Sequence, residues 1–309
     1  MKNRVGLGTF PLATVLAKKS HGALKDIVRQ FINGGGFYID TAPLYGFGEV
    51  ENLLREVICE FERDKFFIAS KCGYIDVVGK SFRTVKKSGK YEDVICECDR
   101  SLKRLGLDYL DLYFVHRPNH STPFGETMAA LSKLQEEGKI KEIGVSNVSL
   151  SELAQYNRTG KVKYVQNRFS LLNRSVDRDF QEYLTLNKIG LVPYHVIDRG
   201  LLTDKVFRGT HNFERGDLPV GRWDSYRLEL IGKWIKKRLS PIAKRLDITI
   251  GQLAIAWALN QKFVSFVLVG VSNPKYLSDN LRANEVKLTP DVLSEIDSLY
   301  AELGLITSV

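Results

Sequence analysis

Four polar residues stand at or just beyond the ends of apolar, strand-like runs: Asp40, Tyr45, Lys71 and His116. If the strands are parallel neighbours, their carboxyl ends share one edge of the sheet, so residues far apart in sequence converge on one pocket. A tyrosine beside a lysine, with a carboxylate and an imidazole nearby, can donate a proton to a carbonyl oxygen. The sequence therefore predicts a proton-donating site for a carbonyl compound.

The chemistry gives each of the four residues a role. A carbonyl that accepts a hydride becomes an alkoxide and needs a proton near neutral pH, whereas a free tyrosine has a pKa of about 10. We expect the ammonium group of Lys71 to lower the pKa of Tyr45, and Asp40 to hold the lysine charged and in place. We expect His116 to hydrogen-bond the carbonyl oxygen and orient it. Taken alone each residue has an ordinary structural explanation, but the set together favours catalysis.

Length and composition limit the classes of protein to consider. The chain has 309 residues, which suits one barrel domain spanning 1–309, and its hydrophobic content of 44% supports a large core. We find no apolar run of ~18 residues, and a strand-like segment begins too early for a signal peptide. The four cysteines have neither disulfide nor metal-ligand spacing. We therefore expect a reduced, cytoplasmic protein with no metal and no membrane partner.

The net charge of +9 raises the question of an anionic partner. The basic residues are spread along the chain, and the densest stretch, 233–245, has an amphipathic helical pattern that indicates a solvated face. No motif combines basic and aromatic residues as nucleic-acid sites do, so we expect no nucleic-acid partner. The sequence leaves the oligomeric state open.

Short apolar runs alternate with longer helical patterns along the whole chain. Strands are predicted near 5–10, 36–40, 66–70, 109–115, 140–145, 162–166, 190–194 and 264–269. Helical stretches are predicted at 20–34, 48–61, 92–105, 124–137, 149–158, 176–188, 225–246, 249–261, 274–284 and 290–303. Eight strands, each followed by a helix, predict the α/β class and a single-domain (β/α)8 TIM barrel.

A doubly wound open sheet is the alternative fold. It is less well supported because the phosphate-binding Gly-x-Gly-x-x-Gly turn is absent: segment 5–10 is followed by Pro11, not by a helix N-terminus with a third glycine. Segments 72–91 and 203–224 are too long for plain connections. We predict that they are loops over the carboxyl-terminal face of the barrel.

Several segments, taken in order, resemble those of the aldo-keto reductases and together cover nearly the whole chain. They are DTAPLYG (40–46), the strand end at Ser70 and Lys71, LDYLDLYFVH (107–116), IGVSN (143–147), VQN (165–167), RGLLT (199–203), and GVSNP (270–274) with Asn280. The resemblance implies a (β/α)8 barrel that binds NADP(H), less often NAD(H), without a Rossmann domain.

The resemblance also implies which residues hold the nicotinamide end of the cofactor. Ser146, Asn147 and Gln166 match the positions that bind the carboxamide, which offers both a donor and an acceptor. Tyr194 matches the aromatic residue on which the nicotinamide ring stacks, and a core position in the barrel is its alternative.

Further positions match the family's contacts with the rest of the cofactor. Gly200 and Leu201 correspond to the loop over the pyrophosphate. The segment around the adenosine corresponds to Gly270, Ser272, Asp279 and Asn280. The helix after Pro274 is expected to offer its N-terminus to a phosphate.

The sequence departs from the family pattern at several positions. Arg117, in the turn after the histidine, either reaches a carboxylate or phosphate of the substrate or lies outside the pocket. His195 stands where a serine is usual, and it either contacts the pyrophosphate or fills space. Ser272 and Tyr276 stand where a basic residue often pairs with the 2′-phosphate, and its absence weakens the case for NADP over NAD. Because the family binds NADP(H) more often, we expect NADP, with NAD possible. The family's N-terminal hairpin, which plugs the barrel floor, is missing or replaced.

The sequence thus predicts a nicotinamide-dependent oxidoreductase that reduces an aldehyde or ketone to an alcohol, with Tyr45 as the proton donor. Two alternatives stay open: an NAD-dependent sugar or cyclitol dehydrogenase running toward oxidation, and a cofactor-binding, redox-sensing partner subunit. The intact set of four polar residues argues against a sensor, which need not keep it. The sequence does not name the small-molecule carbonyl or alcohol substrate.

Overall fold

Ten β-strands occur in the part of the chain that the computed structural model describes, residues 2–16, 20–78, 83–204, 225–271 and 273–307. They are β1 (Val5–Gly8), β2 (Tyr38–Asp40), β3 (Phe67–Cys72), β4 (Tyr74–Val78), β5 (Arg83–Lys87), β6 (Leu110–Val115), β7 (Ile140–Ser146), β8 (Val162–Gln166), β9 (Gly190–Leu191) and β10 (Val267–Gly270). All but β4 and β5 form one parallel sheet, in the order β10-β1-β2-β3-β6-β7-β8-β9.

The two ends of this sheet meet. The backbone N–H of Leu191 in β9 donates to the carbonyl of Phe263 (2.7 Å), and that of Leu268 in β10 donates to the carbonyl of Pro193 (2.9 Å). These bonds close the sheet into a barrel. The predicted (β/α)8 barrel is confirmed, and the doubly wound alternative is wrong.

Helices alternate with the barrel strands, as predicted. In the described residues they are α1 (Phe10–Val15), α2 (His21–Asn33), α3 (Glu49–Ile58), α4 (Tyr91–Leu105), α5 (Phe124–Glu136), α6 (Leu150–Tyr156), α7 (Arg178–Leu186), α8 (Ser225–Trp234), α9 (Ser240–Arg245), α10 (Ile250–Leu259), α11 (Leu277–Arg282) and α12 (Pro290–Thr307). A π-helical segment, Ile235–Leu239, joins α8 to α9.

Side-chain caps explain where several of these helices begin. Ser149 and Glu152 form a reciprocal capping box at the start of α6, and Thr249 and Gln252 form another at the start of α10. Each box satisfies backbone N–H groups that have no partner inside the helix.

Two local predictions need correction. The sequence predicted that segment 5–10 is followed by Pro11 and not by a helix N-terminus with a third glycine. A short helix, α1, does begin there, without a third glycine and with Pro11 in its first turn, where the missing N–H of proline costs no hydrogen bond. Segment 72–91 contains the antiparallel pair of β4 and β5, with Asp76 opposite Val85, because both runs are rich in residues that favour β-structure. The other predicted loop, 203–224, lies outside the described residues from 205 onward.

Aromatic side chains fill the amino-terminal end of the barrel. The rings of Tyr38 and Phe67 pack against Phe266 with centroids 4.8 and 5.7 Å apart, respectively. Arg4 donates to the backbone carbonyls of Ser265 (2.9 Å) and Leu259 (3.2 Å). These bonds tie the first residues of the described chain to the end of α10 and to the segment that leads from α10 into β10. Within the described residues, no helix has both the length and the apolar character that crossing a membrane requires.

Candidate active site

The structure brings the four predicted polar residues together at the carboxyl-terminal edge of the barrel. Asp40 ends β2, Lys71 lies near the end of β3, and His116 follows β6 directly. Tyr45 begins the 3-10 turn Tyr45–Gly48 between β2 and α3. Parallel pairing of β2, β3 and β6 puts these ends side by side.

Lys71 is the centre of this cluster. Its Nζ donates to Oδ1 of Asp40 (2.6 Å), to the carbonyl of Thr41 (2.9 Å) and to the hydroxyl of Tyr45 (3.2 Å). An ammonium group has three hydrogens to donate, so all of them are used. The lysine and aspartate side chains are 0% and 3% exposed, so this is a buried, fully bonded ion pair.

The second oxygen of Asp40 is also satisfied. Oδ2 accepts from Nε2 of Gln166 (2.7 Å) and from the hydroxyl of Tyr38 (3.4 Å). Sequence reasoning missed Tyr38 as a neighbour, although its two-residue spacing from Asp40 puts both on one face of β2. It also missed the carbonyl of Thr41, because a backbone acceptor has no signature in residue type.

The turn that presents Tyr45 depends on left-handed backbone. Gly46, Phe47 and Gly48 have φ values of 61°, 53° and 91°. A Cβ on Gly48 would lie 2.7 Å from Cδ of Arg104, so a side chain there meets both strain and a clash. The turn is thereby held with the tyrosine toward Lys71.

Aromatic rings lie around Tyr45 and His116. The ring of His116 lies 6.0 Å from that of Tyr45 at 85°, and 5.4 Å from that of Tyr74 at 84°. The ring of Phe10 lies edge-on to Tyr45 at 5.4 Å. Sequence reasoning did not find Tyr74 or Phe10, since ring packing beside a site leaves no signal in residue type or spacing.

Lys71 acts on the pKa of Tyr45 in the expected direction, but the pKa still lies above its ordinary value. Burial raises the pKa of Tyr45, and the attraction of Lys71 opposes the rise without cancelling it. The physical reason is that the phenolate would lose much of its contact with water in this half-buried position, while the charge of Lys71 is already shared with Asp40. Tyr45 is therefore a neutral phenol at neutral pH.

The other two ionisable groups have the states that proton donation needs. Burial alone lowers the pKa of Lys71, but Asp40 and Tyr45 together outweigh it, so the pKa lies above its ordinary value. Burial lowers the pKa of His116 well below its ordinary value, and the cations of Lys71 and Arg117 lower it further. The site thus holds a charged lysine, a neutral phenol and a neutral imidazole.

The residues expected to hold the carboxamide adjoin this cluster and bond to one another. Asn147, at a φ of 58°, donates from Nδ2 to the carbonyl of His116 (2.9 Å) and to Oγ of Ser146 (3.0 Å). Its Oδ1 accepts from the hydroxyl of Tyr194 (2.6 Å). Oγ of Ser146 donates to the backbone carbonyl of Gln166 (2.7 Å).

Nitrogen atoms in the loop after β9 and in the segment just after β8 suit an anion. His195 and Arg199 have positive φ values of 56°, and Gly200 has a φ of 95° with open space where a Cβ would be. Nδ1 of His195 and Nε of Arg168 are buried with no hydrogen-bond partner among the described residues. Arg168 also pairs with the buried Asp198. Nitrogen donors without partners beside a glycine-containing loop fit a pyrophosphate.

The residues expected around the adenosine lie apart from this loop, near the end of β10. Gly270 pairs with Gly8, and a Cβ on it would lie 2.6 Å from Cγ of Pro11. Asp279 and Asn280 lie in α11, while Ser272 is outside the described residues. One N–H expected to face a phosphate, that of Lys275, is already bonded to Oδ1 of Asn273 (3.2 Å).

Comparison with known proteins gives the family. The model of the aldo/keto reductase family matches residues 4–301. The chain belongs to the aldo/keto reductase family. This aldo/keto reductase is similar to the NADH-specific methylglyoxal reductase of Escherichia coli (strain K12), with 29% identity over 307 residues, 93% of this chain and 91% of the relative.

Two further comparisons agree. An aldo-keto reductase of Schizosaccharomyces pombe, named for NADP(+), is 31% identical over 304 residues, 94% of this chain and 86% of that protein. The structure of a glycerol dehydrogenase from Gluconobacter oxydans has a TM-score of 0.88 and 26% identity, covering 97% of this chain and 91% of that one. The described part of this aldo/keto reductase contains no group of three or more side chains suited to a metal ion.

Proposed function

We propose that this aldo/keto reductase reduces an aldehyde or ketone to an alcohol with NADP(H), or with NAD(H), and that Tyr45 donates the proton. One observation carries the proposal. The buried ammonium group of Lys71 bonds at once to Asp40, to the carbonyl of Thr41 and to the hydroxyl of Tyr45, the last at 3.2 Å. A lysine held in this way can stabilise the phenolate that proton transfer leaves behind.

The residues of the chain divide the work of binding. Ser146, Asn147 and Gln166 would hold the carboxamide, and the ring of Tyr194 would support the nicotinamide. The unpartnered Nδ1 of His195 lies in the loop that would receive the pyrophosphate. When bound, the reduced nicotinamide supplies the hydride.

Proton transfer then follows from the geometry of the chain's own groups. The rings of Tyr45 and His116 lie 6.0 Å apart at 85°, so we infer that the tyrosine hydroxyl and the imidazole both hydrogen-bond one carbonyl oxygen. The neutral imidazole donates without competing as an acid, and the tyrosine gives up its proton as negative charge develops. Lys71 stabilises the phenolate, and Asp40 keeps the ammonium group in place.

Oxidation of a polyol by the same site is the second candidate. The structural likeness to a glycerol dehydrogenase favours it, since a reductase site run backwards uses the tyrosine as a base. This candidate includes the sugar or cyclitol dehydrogenase that the sequence left open. A redox-sensing subunit would bind the cofactor and turn over little.

Turnover measurements in both directions separate these candidates. We expect reduction of members of a panel of aldehydes, hydroxy-ketones and sugars with NADPH or NADH, and slower oxidation of the matching alcohols. Faster oxidation with NAD at neutral pH would favour the dehydrogenase. Cofactor binding without turnover of any panel member would contradict both enzymatic candidates and favour the sensor.

We further infer that residues 1–309 form one domain acting on a small molecule in the cytoplasm. All four cysteines (Cys59, Cys72, Cys96, Cys98) are free, which suits a reducing compartment. Limited proteolysis and fractionation of the source cells test these two points.

A further inference from the structure

Arg117 lies at the edge of the candidate active site, directly after His116 at the carboxyl end of β6. Its side chain is exposed, and within the described part of the chain it forms no hydrogen bond or ion pair. The chain two residues further on is held by Asn119, which donates from Nδ2 to Oγ1 of Thr122 (3.3 Å) and accepts from the N–H of Ser121 (3.1 Å). An exposed guanidinium beside this braced segment is thus available to an anion.

The charges around the reacting position favour an anion. Lys71 and Asp40 form a buried pair whose net charge is zero. Burial raises the pKa of Tyr45 and lowers that of His116, so both are neutral at neutral pH. Among these five side chains, Arg117 is therefore the one that adds a net charge.

The positive charge of Arg117 also acts on two groups of the candidate site, His116 and Tyr194. Its cation adds to the effect of burial and of Lys71 in lowering the pKa of His116. Burial raises the pKa of Tyr194, and the cation of Arg117 is foremost among those that oppose the rise. Tyr194 and His116 are linked through Asn147, which bonds to both. Arg117 is thus within electrostatic range of the imidazole and of the nicotinamide-facing tyrosine.

We propose that Arg117 binds a carboxylate or phosphate group of the carbonyl substrate, so that the preferred substrates are anionic aldehydes or ketones. The inference rests on the proposed reductase function. A guanidinium binds either oxoanion through two parallel N–H donors, which fixes orientation as well as affinity. Because Arg117 is next to His116, the anionic group would lie within a few bonds of the carbonyl carbon.

Paired substrates test the proposal and separate the two anions. The first pair is 4-oxobutanoate and the neutral 4-oxobutanamide; the second is glyceraldehyde 3-phosphate and glyceraldehyde. Arg117→Gln is compared with Arg158→Gln, which removes the same charge from an exposed arginine beyond α6, at the amino end of β8. We expect wild type to favour the anionic member of at least one pair in kcat/KM, and Arg117→Gln to lower that preference roughly tenfold or more, mainly through KM.

The controls make each outcome decisive. Arg158→Gln should keep the preference, added salt should weaken it in wild type, and Arg117→Lys should restore part of it, because lysine keeps the charge but not the fork. Loss of preference in one pair alone identifies the carboxylate or the phosphate as the group bound.

Two results overturn the inference, and they differ in what else they overturn. If wild type reduces the neutral members but shows no preference for an anion, or if Arg117→Gln keeps the preference, Arg117 has no such role and the reductase function stands. If wild type reduces no carbonyl with either cofactor, the proposed function fails together with the inference. Thermal unfolding of each variant checks that an altered preference does not come from lost structure.

Discussion

The hydroxyl of Ser70 donates a 2.7 Å hydrogen bond to Oε1 of Glu51, which joins the strand that carries Lys71 to the helix that follows Tyr45. Oε2 of Glu51, a fully buried residue, accepts from Nε of Arg104 (2.6 Å). The side chain of Arg104 lies where a Cβ on Gly48 would be. One buried carboxylate therefore braces both elements that set the distance between the lysine and the tyrosine.

Replacing Glu51 with glutamine tests this brace. The change leaves the guanidinium of Arg104 without its counter-charge, so we expect a loss of about 2–4 kcal/mol in the free energy of unfolding. We also expect kcat to fall more than KM changes, because the Lys71–Tyr45 geometry loosens. Denaturant unfolding and steady-state kinetics measure the two effects.

The exposed Arg178–Glu182 pair (3.0 Å) supplies the matched control. Glu182→Gln should cost less than about 0.5 kcal/mol, since exposed pairs contribute little. Equal losses in the free energy of unfolding for the two substitutions would show that the contacts of Glu51 stabilise the protein no more than an exposed ion pair does.

Tyr45→Phe tests the proton donor. The hydroxyl serves the reacting oxygen, so turnover should fall on the order of 10² to 10⁴ while cofactor affinity stays nearly unchanged. Fluorescence titration gives the affinity and initial rates give the turnover. Tyr183→Phe, on α7, is the control. Near-normal turnover of Tyr45→Phe on the preferred substrate would make the assignment wrong.

Lys71→Met tests the tuning of that donor. Reduction needs the protonated phenol, so its rate declines as pH rises through the pKa of Tyr45. Burial raises this pKa and Lys71 opposes the rise, so removing the ammonium group should shift the declining limb to still higher pH. The pH dependence of the residual activity is the measurement. An unchanged limb in a variant that still turns over would count against the role of Lys71.

His195 should make the folded state sensitive to acid. Burial, together with Arg199 and Arg168, lowers the pKa of His195 to about 4, whereas in the unfolded chain it titrates near 6.5. Between these values the unfolded state binds the extra proton, so stability falls as pH drops from about 6.5 to about 4. The loss attributable to His195 is roughly 1–3 kcal/mol.

Denaturant unfolding across this pH range, for wild type and His195→Asn, gives the contribution by difference. The variant should lose less stability on acidification than wild type does. If the stability of the two proteins changed with pH in the same way, His195 would have the same pKa in the folded and the unfolded state.

Cofactor preference is a further prediction. We expect NADPH to bind more tightly than NADH, because the protein carries a net charge of +9 and the family binds NADP(H) more often. Its advantage should be small, since Ser272 and Tyr276 offer no arginine fork to the 2′-phosphate. Fluorescence titration with each cofactor measures it. Binding of NADH tenfold tighter than NADPH, about 1.4 kcal/mol, would contradict this.

Ser272→Arg should shift the preference further toward NADPH, because it supplies a fork near the 2′-phosphate. Ser298→Arg, which adds the same charge at an exposed position on α12, is the control for the overall charge of the protein. An equal shift in both variants would assign the effect to net charge alone.

The sequence by itself determined the barrel and the four polar residues of the candidate site. Alternating apolar runs and helical patterns specify strand–helix units. The carboxyl ends of parallel strands meet at one edge, so a residue such as Lys71 or His116 needs only its place at a strand end to be located. The hairpin in 72–91 was missed because its short strands pair with each other and not with the barrel.

Only the tertiary structure decided the contacts that cross the barrel. Gln166 bonds to Asp40 across 126 positions of sequence, and no spacing rule predicts such a pairing. The direction of the Tyr45 pKa depends on burial, which is a property of the assembled barrel and opposes the attraction of Lys71 that residue types alone suggest. Residue type and position in the pattern thus set which groups meet, while packing set their distances, their partners and their protonation.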